Sequence, residues 1–203
     1  MGTNYSLTVN NNSKNYGHIC VFQTMPDQPD NLLSLAWFSE PAHPGTSVTF
    51  DWNTDYSFVW SNQGTLKPGV NFKASQTLYA DPSNISSNSI KFTKQFDAYR
   101  FTKANNNTKA GKLAIYTDET VPHGEASVGI GMSGSGTFAV TATPNYNFTF
   151  SPHPKYWVAF GVFKAGDVID IESMTNIVEI KYATDVYDKV VDLKEDNTWE
   201  IIR

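Results

Sequence analysis

The sequence predicts an all-β protein: a single domain over residues 1–203, built as a two-sheet antiparallel β-sandwich of roughly ten to twelve strands. Three observations carry this. In "TSVTFDWNTDYSFVWSNQGTL", residues 46–66, Val48, Phe50, Trp52, Tyr56, Phe58 and Trp60 share one parity, against Thr49, Asp51, Asn53, Asp55 and Ser57 on the other. Side chains alternate across a strand, so this pattern packs one face and wets the other. Short apolar runs recur between turn-forming clusters along the chain. No segment over ten residues keeps a 3.6-residue apolar period, and the composition is 40% hydrophobic but only 17% charged, too apolar for disorder.

The elements follow in order. "YSLTV" alternates Tyr5, Leu7 and Val9 before the polar turn "NNNSKNYG", and "HICVFQT" is a second strand. The proline-bounded "MPDQPDNLLSLAWFSEPAHPG" has an apolar centre, Leu32 to Phe38, too short for periodicity to choose between strand and helical turn. Residues 46–66 form one long strand or a hairpin turning at Asn53 to Asp55. "VNFKASQTLYA" alternates weakly; "NSIKFTKQFDAYRFTKA" predicts two strands with Ile90, Phe92, Tyr99 and Phe101 inward. "KLAIYTD" and the hairpin in "EASVGIGMSGSGTFAVTATPNYNFTF" follow. "KYWVAFGVF" is apolar on both faces, as a central strand is. "DVIDIES", "IVEIKYA", "YDKVVDL" and "TWEII" supply shorter strands. Jelly-roll and immunoglobulin-like topologies both accommodate this order.

Charge excludes several function classes. The net charge is −5, and only Arg100 and Arg203 among fifteen basic residues are arginines. Lysines are scattered singly, so the basic stripe of a nucleic-acid binder is missing, as is the polybasic patch of a membrane-surface protein. No run approaches the roughly 20 apolar residues of a spanning helix. The N-terminal residues lack a basic and apolar leader, which predicts a cytoplasmic protein whose sequons at Asn11, Asn84, Asn106 and Asn147 go unused. Cys20, the one cysteine, lies in an apolar run and is expected to be a buried, inert thiol.

Candidate sites are few. "GIGMSG", Gly129 to Gly134, spells a dinucleotide fingerprint but leads into a strand, so the helix N-terminus that meets a pyrophosphate is lacking. Its glycines instead predict close approach of another backbone or ring. His18, His43, His123 and His153 show no metal-ligand spacing, and no metal or cofactor is expected. Asp170 and Glu172 in "DVIDIES" project from one strand face, as the carboxylate pair of a glycosidase does, although nothing else catalytic accompanies them. "TPNYNFTFSPHPKYWVAFG" offers Tyr146, Asn147, His153, Tyr156 and Trp157, aromatic rings beside amide and imidazole groups, as a pocket for a sugar or small polar ligand. Prolines on both sides of His153 limit the loop's freedom. Tyr156 and Trp157 are adjacent and point to opposite faces, so either one leaves the core or both are buried by a strand packed on both sides.

The strings "SLAWF…TFDWNTDYSFVWSNQGTLKPGV", "ASVGIGMSGSGTF" and "FSPHPKYWVAFG" resemble the RhiA family over nearly the whole chain. These are rhizosphere-expressed bacterial proteins associated with quorum-sensing control. The resemblance implies a bacterial, cytoplasmic protein; it implies no activity and no site residues. Two function classes follow: a non-catalytic binding protein, lectin-like or self-associating as a homo-oligomer, and a hydrolase using Asp170 and Glu172.

Overall fold

The computed structural model describes residues 2–26 and 28–203; Met1 and Asp27, the latter inside the proline-bounded segment, lie outside the described residues. The first strands are β1 (Asn4–Asn11), β2 (Gly17–Thr24), β3 (Leu33–Ser34), β4 (Ala36–Ala42), β5 (Thr46–Asn53) and β6 (Tyr56–Ser61). Next come β7 (Gln76–Ala80), β8 (Ser89–Gln95), β9 (Ala98–Lys103), β10 (Leu113–Thr117), β11 (Ser127–Met132) and β12 (Ser135–Thr141). The chain ends with β13 (Asn147–Phe150), β14 (Lys155–Gly161), β15 (Ile177–Ile180), β16 (Asp188–Leu193) and β17 (Trp199–Ile201). One 3-10 turn, Ile171–Ser173, is the single helical element among the described residues. The chain is therefore all-β.

The strands form four sheets rather than the expected two, and none closes into a barrel. Sheet I has the order β17-β16-β1-β5, and sheet II β15-β14-β2-β4. Sheet III runs β3-β12-β11-β6-β7, and sheet IV β13-β10-β8-β9. The antiparallel expectation also needs correction, because β1–β16 and β8–β10 pair in parallel. Parallel neighbours need long crossovers, which local alternation does not reveal.

Two large apolar clusters hold the sheets together. Leu7, Val9, Phe50, Trp52 and Val191 of sheet I meet Ile19, Val21, Trp37, Val158 and Ile180 of sheet II. Phe58, Trp60, Val128, Ile130, Phe138 and Val140 of sheet III meet Phe92, Phe101, Leu113, Ile115, Phe148 and Phe150 of sheet IV. The ring-rich run 46–66 feeds both. Phe50 and Trp52 enter the first cluster, while Phe58 and Trp60, at the same parity, enter the second. The run is neither one strand nor a hairpin. It breaks at Thr54 and Asp55, and its halves belong to different sheets.

Other expectations resolve similarly. The Leu32–Phe38 stretch is extended from Leu33 on, split at Leu35 into β3 and β4. β14 is central in sheet II, with Val158 in the first cluster and Ala159 in a smaller one formed with Cys20, Phe22, Ala36 and Ile169. "DVIDIES" is not a strand: Asp170 precedes the 3-10 turn that contains Glu172, so the two carboxylates do not share a strand face.

"GIGMSG" is β11 entering a two-residue turn, Ser133–Gly134, with φ of 51° and 81°. Two successive positive φ values make the twist-matched hairpin turn. A Cβ on Gly129 would lie 1.9 Å from the Phe138 carbonyl oxygen. That oxygen is backbone and has no rotamer to adopt. Gly129→Ala is therefore expected to destabilise the fold by about 3 kcal/mol or more, read as a lowered denaturant midpoint; an unchanged midpoint would contradict the close approach.

Burial, reinforced by Asp167, pushes the Cys20 thiol well above its ordinary pKa. Thiol titration at pH 8 should show almost no reaction in the native protein and full reaction in denaturant. Rapid native labelling would rule out that packing.

Candidate functional site

Residues 25–32 connect β2 of sheet II to β3 of sheet III. Met25 and Leu32 anchor the ends of this connection in the second apolar cluster. Between them one amide side chain organises the backbone. The Met25 N–H donates to Gln28 Oε1 at 3.2 Å, and Gln28 Nε2 donates to the Leu32 carbonyl at 2.6 Å. The Leu32 N–H closes a turn onto the Pro29 carbonyl at 2.9 Å. Pro26 and Pro29 fix their own φ, so the loop loses little further freedom when something binds against it.

Pro29 and Leu32 are common to three clefts. The first, about 420 Å³, is bordered by Asp30, Asp170 and Glu172. A second of about 380 Å³ is bordered by Lys112, Ser151 and His153, and a third of about 250 Å³ by Asn31, Tyr146 and Asn147. The loop thus separates an acidic side from one carrying a lysine and a histidine. Lys112 Nζ donates to Ser151 Oγ at 3.3 Å, which ties the residue before β10 to the His153 loop.

The five residues singled out for ligand binding divide. Tyr146, half exposed, and exposed Asn147 and His153 stand at these clefts. Tyr156 and Trp157 border none of the three. Tyr156 packs in the first cluster, its ring 5.3 Å from Trp52 and 6.2 Å from Trp37. Its hydroxyl donates to Met132 Sδ at 3.8 Å. Burial pushes that phenol up to about 12, partly offset by the Trp52 indole N–H nearby. Trp157 lies on the opposite face, stacked on Phe22 at 6.4 Å, and donates from Nε1 to Thr24 Oγ1 at 2.8 Å. Both rings are held by packing, because β14 has layers on both faces.

Asp170 and Glu172 are exposed at the mouth of the first cleft, with Asp30. No group of three or more metal-ligating side chains converges among the described residues. Gln28, Asp30, Asn31 and Lys112 escaped sequence reading. Prolines bound the longer segment "MPDQPDNLLSLAWFSEPAHPG", but no local signal tells that Lys112, eighty residues beyond Leu32, borders the same cleft.

Tyr146 is positioned by β10 and the residue after it. Its N–H donates to Thr117 Oγ1 at 3.0 Å, and the Thr117 N–H returns a bond to the Tyr146 carbonyl at 3.0 Å. The Asn145 N–H bonds the Asp118 carbonyl at 3.3 Å. The Asp118 carboxylate accepts from Thr93 at 2.8 Å and pairs with Lys91 at 2.8 Å. Burial raises its pKa, but Lys91, Thr120 and Thr93 outweigh that and hold it down at about 2. A depressed carboxylate pKa stabilises the fold above its unfolded value near 4, and that contribution is lost as pH falls through the folded value. The Tyr146 loop should thus stay ordered at pH 5 and loosen between about pH 4 and pH 2. Tyrosine fluorescence and proteolysis would follow this in wild type, and Asp118→Asn should already be looser at pH 7. Identical pH profiles for the two proteins would remove Asp118 from this role.

No helix among the described residues is long and apolar enough to cross a membrane. No solved structure matches the chain. Protein RhiA of Rhizobium leguminosarum bv. viciae is 39% identical over 203 residues, covering 98% of this chain and 87% of that protein. The sequence profile of the RhiA family matches residues 2–203. With the profile spanning nearly every residue and this relative aligned over 98% of the chain, the chain belongs to the RhiA family.

Proposed function

We propose that the protein is a non-catalytic binding protein that holds a sugar or small polar ligand against the 25–32 loop. One observation carries this: Tyr146, Asn147 and His153, chosen for their chemistry, stand at clefts that share Pro29 and Leu32 as a wall. A half-exposed ring gives a stacking face, and the amide, imidazole and Lys112 ammonium supply directed hydrogen bonds. The pinned loop reduces the ordering cost of binding. The same side chains suit a polar ligand better than an apolar one, because each brings a group that needs a partner once water leaves.

The competing reading is hydrolysis by Asp170 and Glu172, favoured by their shared place at the first cleft. A glycan array followed by calorimetric titration separates the two. Tyr146→Ala and His153→Ala should each weaken a hit at least fivefold, with no product released from it. Trp157→Ala should instead lower stability by about 3–5 kcal/mol through lost packing. Absence of any hit, or hits that both cleft variants bind unchanged, would dismiss the site. Turnover lost in Asp170→Asn and Glu172→Gln would establish the hydrolase instead.

A further inference from the structure

An open sheet edge offers unpaired backbone N–H and C=O groups to another strand. β5, at the edge of sheet I, is the longest edge strand of the four sheets at eight residues, "TSVTFDWN", and contains no proline, glycine, lysine or arginine. The next longest edges are guarded: β4 carries Glu40 and Pro41, and β9 carries Arg100 and Lys103. Strand register tells which groups of β5 are open. The Ser6 N–H donates to the Tyr187 carbonyl at 2.8 Å, on the β16 side, so its neighbours Tyr5, Leu7 and Val9 turn their backbone groups toward β5. Trp52, Phe50 and Val48 answer them, and Ser47, Thr49 and Asp51 therefore direct N–H and C=O away from β1. None of these three N–H groups has a hydrogen-bond partner among the described residues.

The open stretch has defined ends. Asn53 shares this orientation, but its N–H already donates to Ser133 Oγ at 3.3 Å. At the start of the strand the Thr46 N–H closes a turn onto the His43 carbonyl at 3.1 Å, and the chain leaves the sheet. Residues 47–51 remain, centred on Thr49. Ser47, Thr49 and Asp51 are exposed on the solvent face, while half-buried Val48 and buried Phe50 lie on the core side.

From this arrangement we infer that β5 pairs with β5 of a second copy of the chain, antiparallel about a two-fold axis at Thr49, so that two copies of sheet I become one continuous sheet. Thr49 then faces Thr49 of the second copy, and Ser47 and Asp51 face each other across the axis in both directions. These pairs exchange about six backbone hydrogen bonds. Val48 meets Phe50 of the second copy at the closer, non-hydrogen-bonded positions. The register is self-complementary in charge, because each carboxylate meets a hydroxyl. Centring the pairing on Asp51 would oppose two carboxylates, and it would need the Asn53 N–H that Ser133 already occupies. Thr8 Oγ1 and Thr49 Oγ1 lie 3.0 Å apart, so the hydroxyl row of one copy runs on into that of the other. The contact uses the same patch on both copies and consumes the edge, so the assembly closes as a dimer.

The test is sedimentation velocity of the full chain over a wide concentration range, which should show a reversible monomer–dimer equilibrium and nothing larger. Thr49→Pro removes one outward donor from each copy without breaking a backbone bond within the chain, and should weaken the dimer about thirtyfold. Ser47→Asp sets carboxylate opposite carboxylate and should also weaken it. Adding Asp51→Ser to that variant restores the pairing of carboxylate with hydroxyl and should recover wild-type association. Ser47→Lys should tighten the dimer by opposing an ammonium to Asp51. Tyr146→Ala and His153→Ala should leave it unchanged, so this assignment and the sugar site stand or fall separately. Circular dichroism melts show whether each variant folds. A wild type that stays monomeric, an assembly larger than a dimer, a dimer left unchanged in folded Thr49→Pro and Ser47→Asp, or a folded double variant that does not recover association would each overturn the assignment.

Discussion

The architecture depends on how the chain is pinned where it crosses from sheet I to sheet III. β5 ends at Asn53 and β6 begins at Tyr56, leaving two residues to change sheets. The tip of the β11–β12 hairpin fixes that crossing from the side. The Ser133 N–H donates to the Asp55 carbonyl at 2.9 Å, and the Asn53 N–H to Ser133 Oγ at 3.3 Å. Ser133 sits at a φ of 51°, as the first residue of the two-residue hairpin turn requires. Beside it, the buried Trp37 indole donates to the Met132 carbonyl at 3.0 Å. Met132 thus has its backbone in sheet III and its side chain in the cluster between sheets I and II.

This junction explains where the clefts lie. The chain also changes sheets at residues 25–32, from β2 to β3, and at 151–154, from β13 to β14. Connections between sheets cannot pair as strands, so they run at the surface and carry polar groups that strands would have to satisfy in the ladder. Met25–Leu32 and the His153 loop meet at one such seam and form the proposed sugar site. Asn53 and Ser133, at the 54–55 crossing, border a cleft of about 460 Å³. The proposed sugar site is thus a consequence of sheet changes and requires no dedicated motif.

A buried ring and a ring that meets ligand look alike in sequence. Tyr146 and Tyr156 lie ten residues apart among similar neighbours. The first is half exposed at a cleft, whereas the second is packed among Trp37, Trp52 and Tyr182. What separates them is the layer over β14, contributed by segments far away in the chain. The carboxylates show the same effect. Asp51 and Asp188, 137 positions apart by their numbering, are brought to flank Ser6 by one parallel and one antiparallel pairing.

By itself the sequence determined the all-β class, the inward parity of Ile90, Phe92, Tyr99 and Phe101, the burial of Cys20 and the close approach at Gly129. Each of these rests on local physics: the two-residue period of a strand, or the missing Cβ of glycine. Tertiary structure alone decided that there are four sheets, that Phe50 and Phe58 enter different clusters, and that Asp170 precedes a 3-10 turn that contains Glu172. Alternation tells which side chains face inward but not which layer they face. A strand that changes sheets keeps its parity, so only the pairing of distant backbone groups distinguishes one core from two.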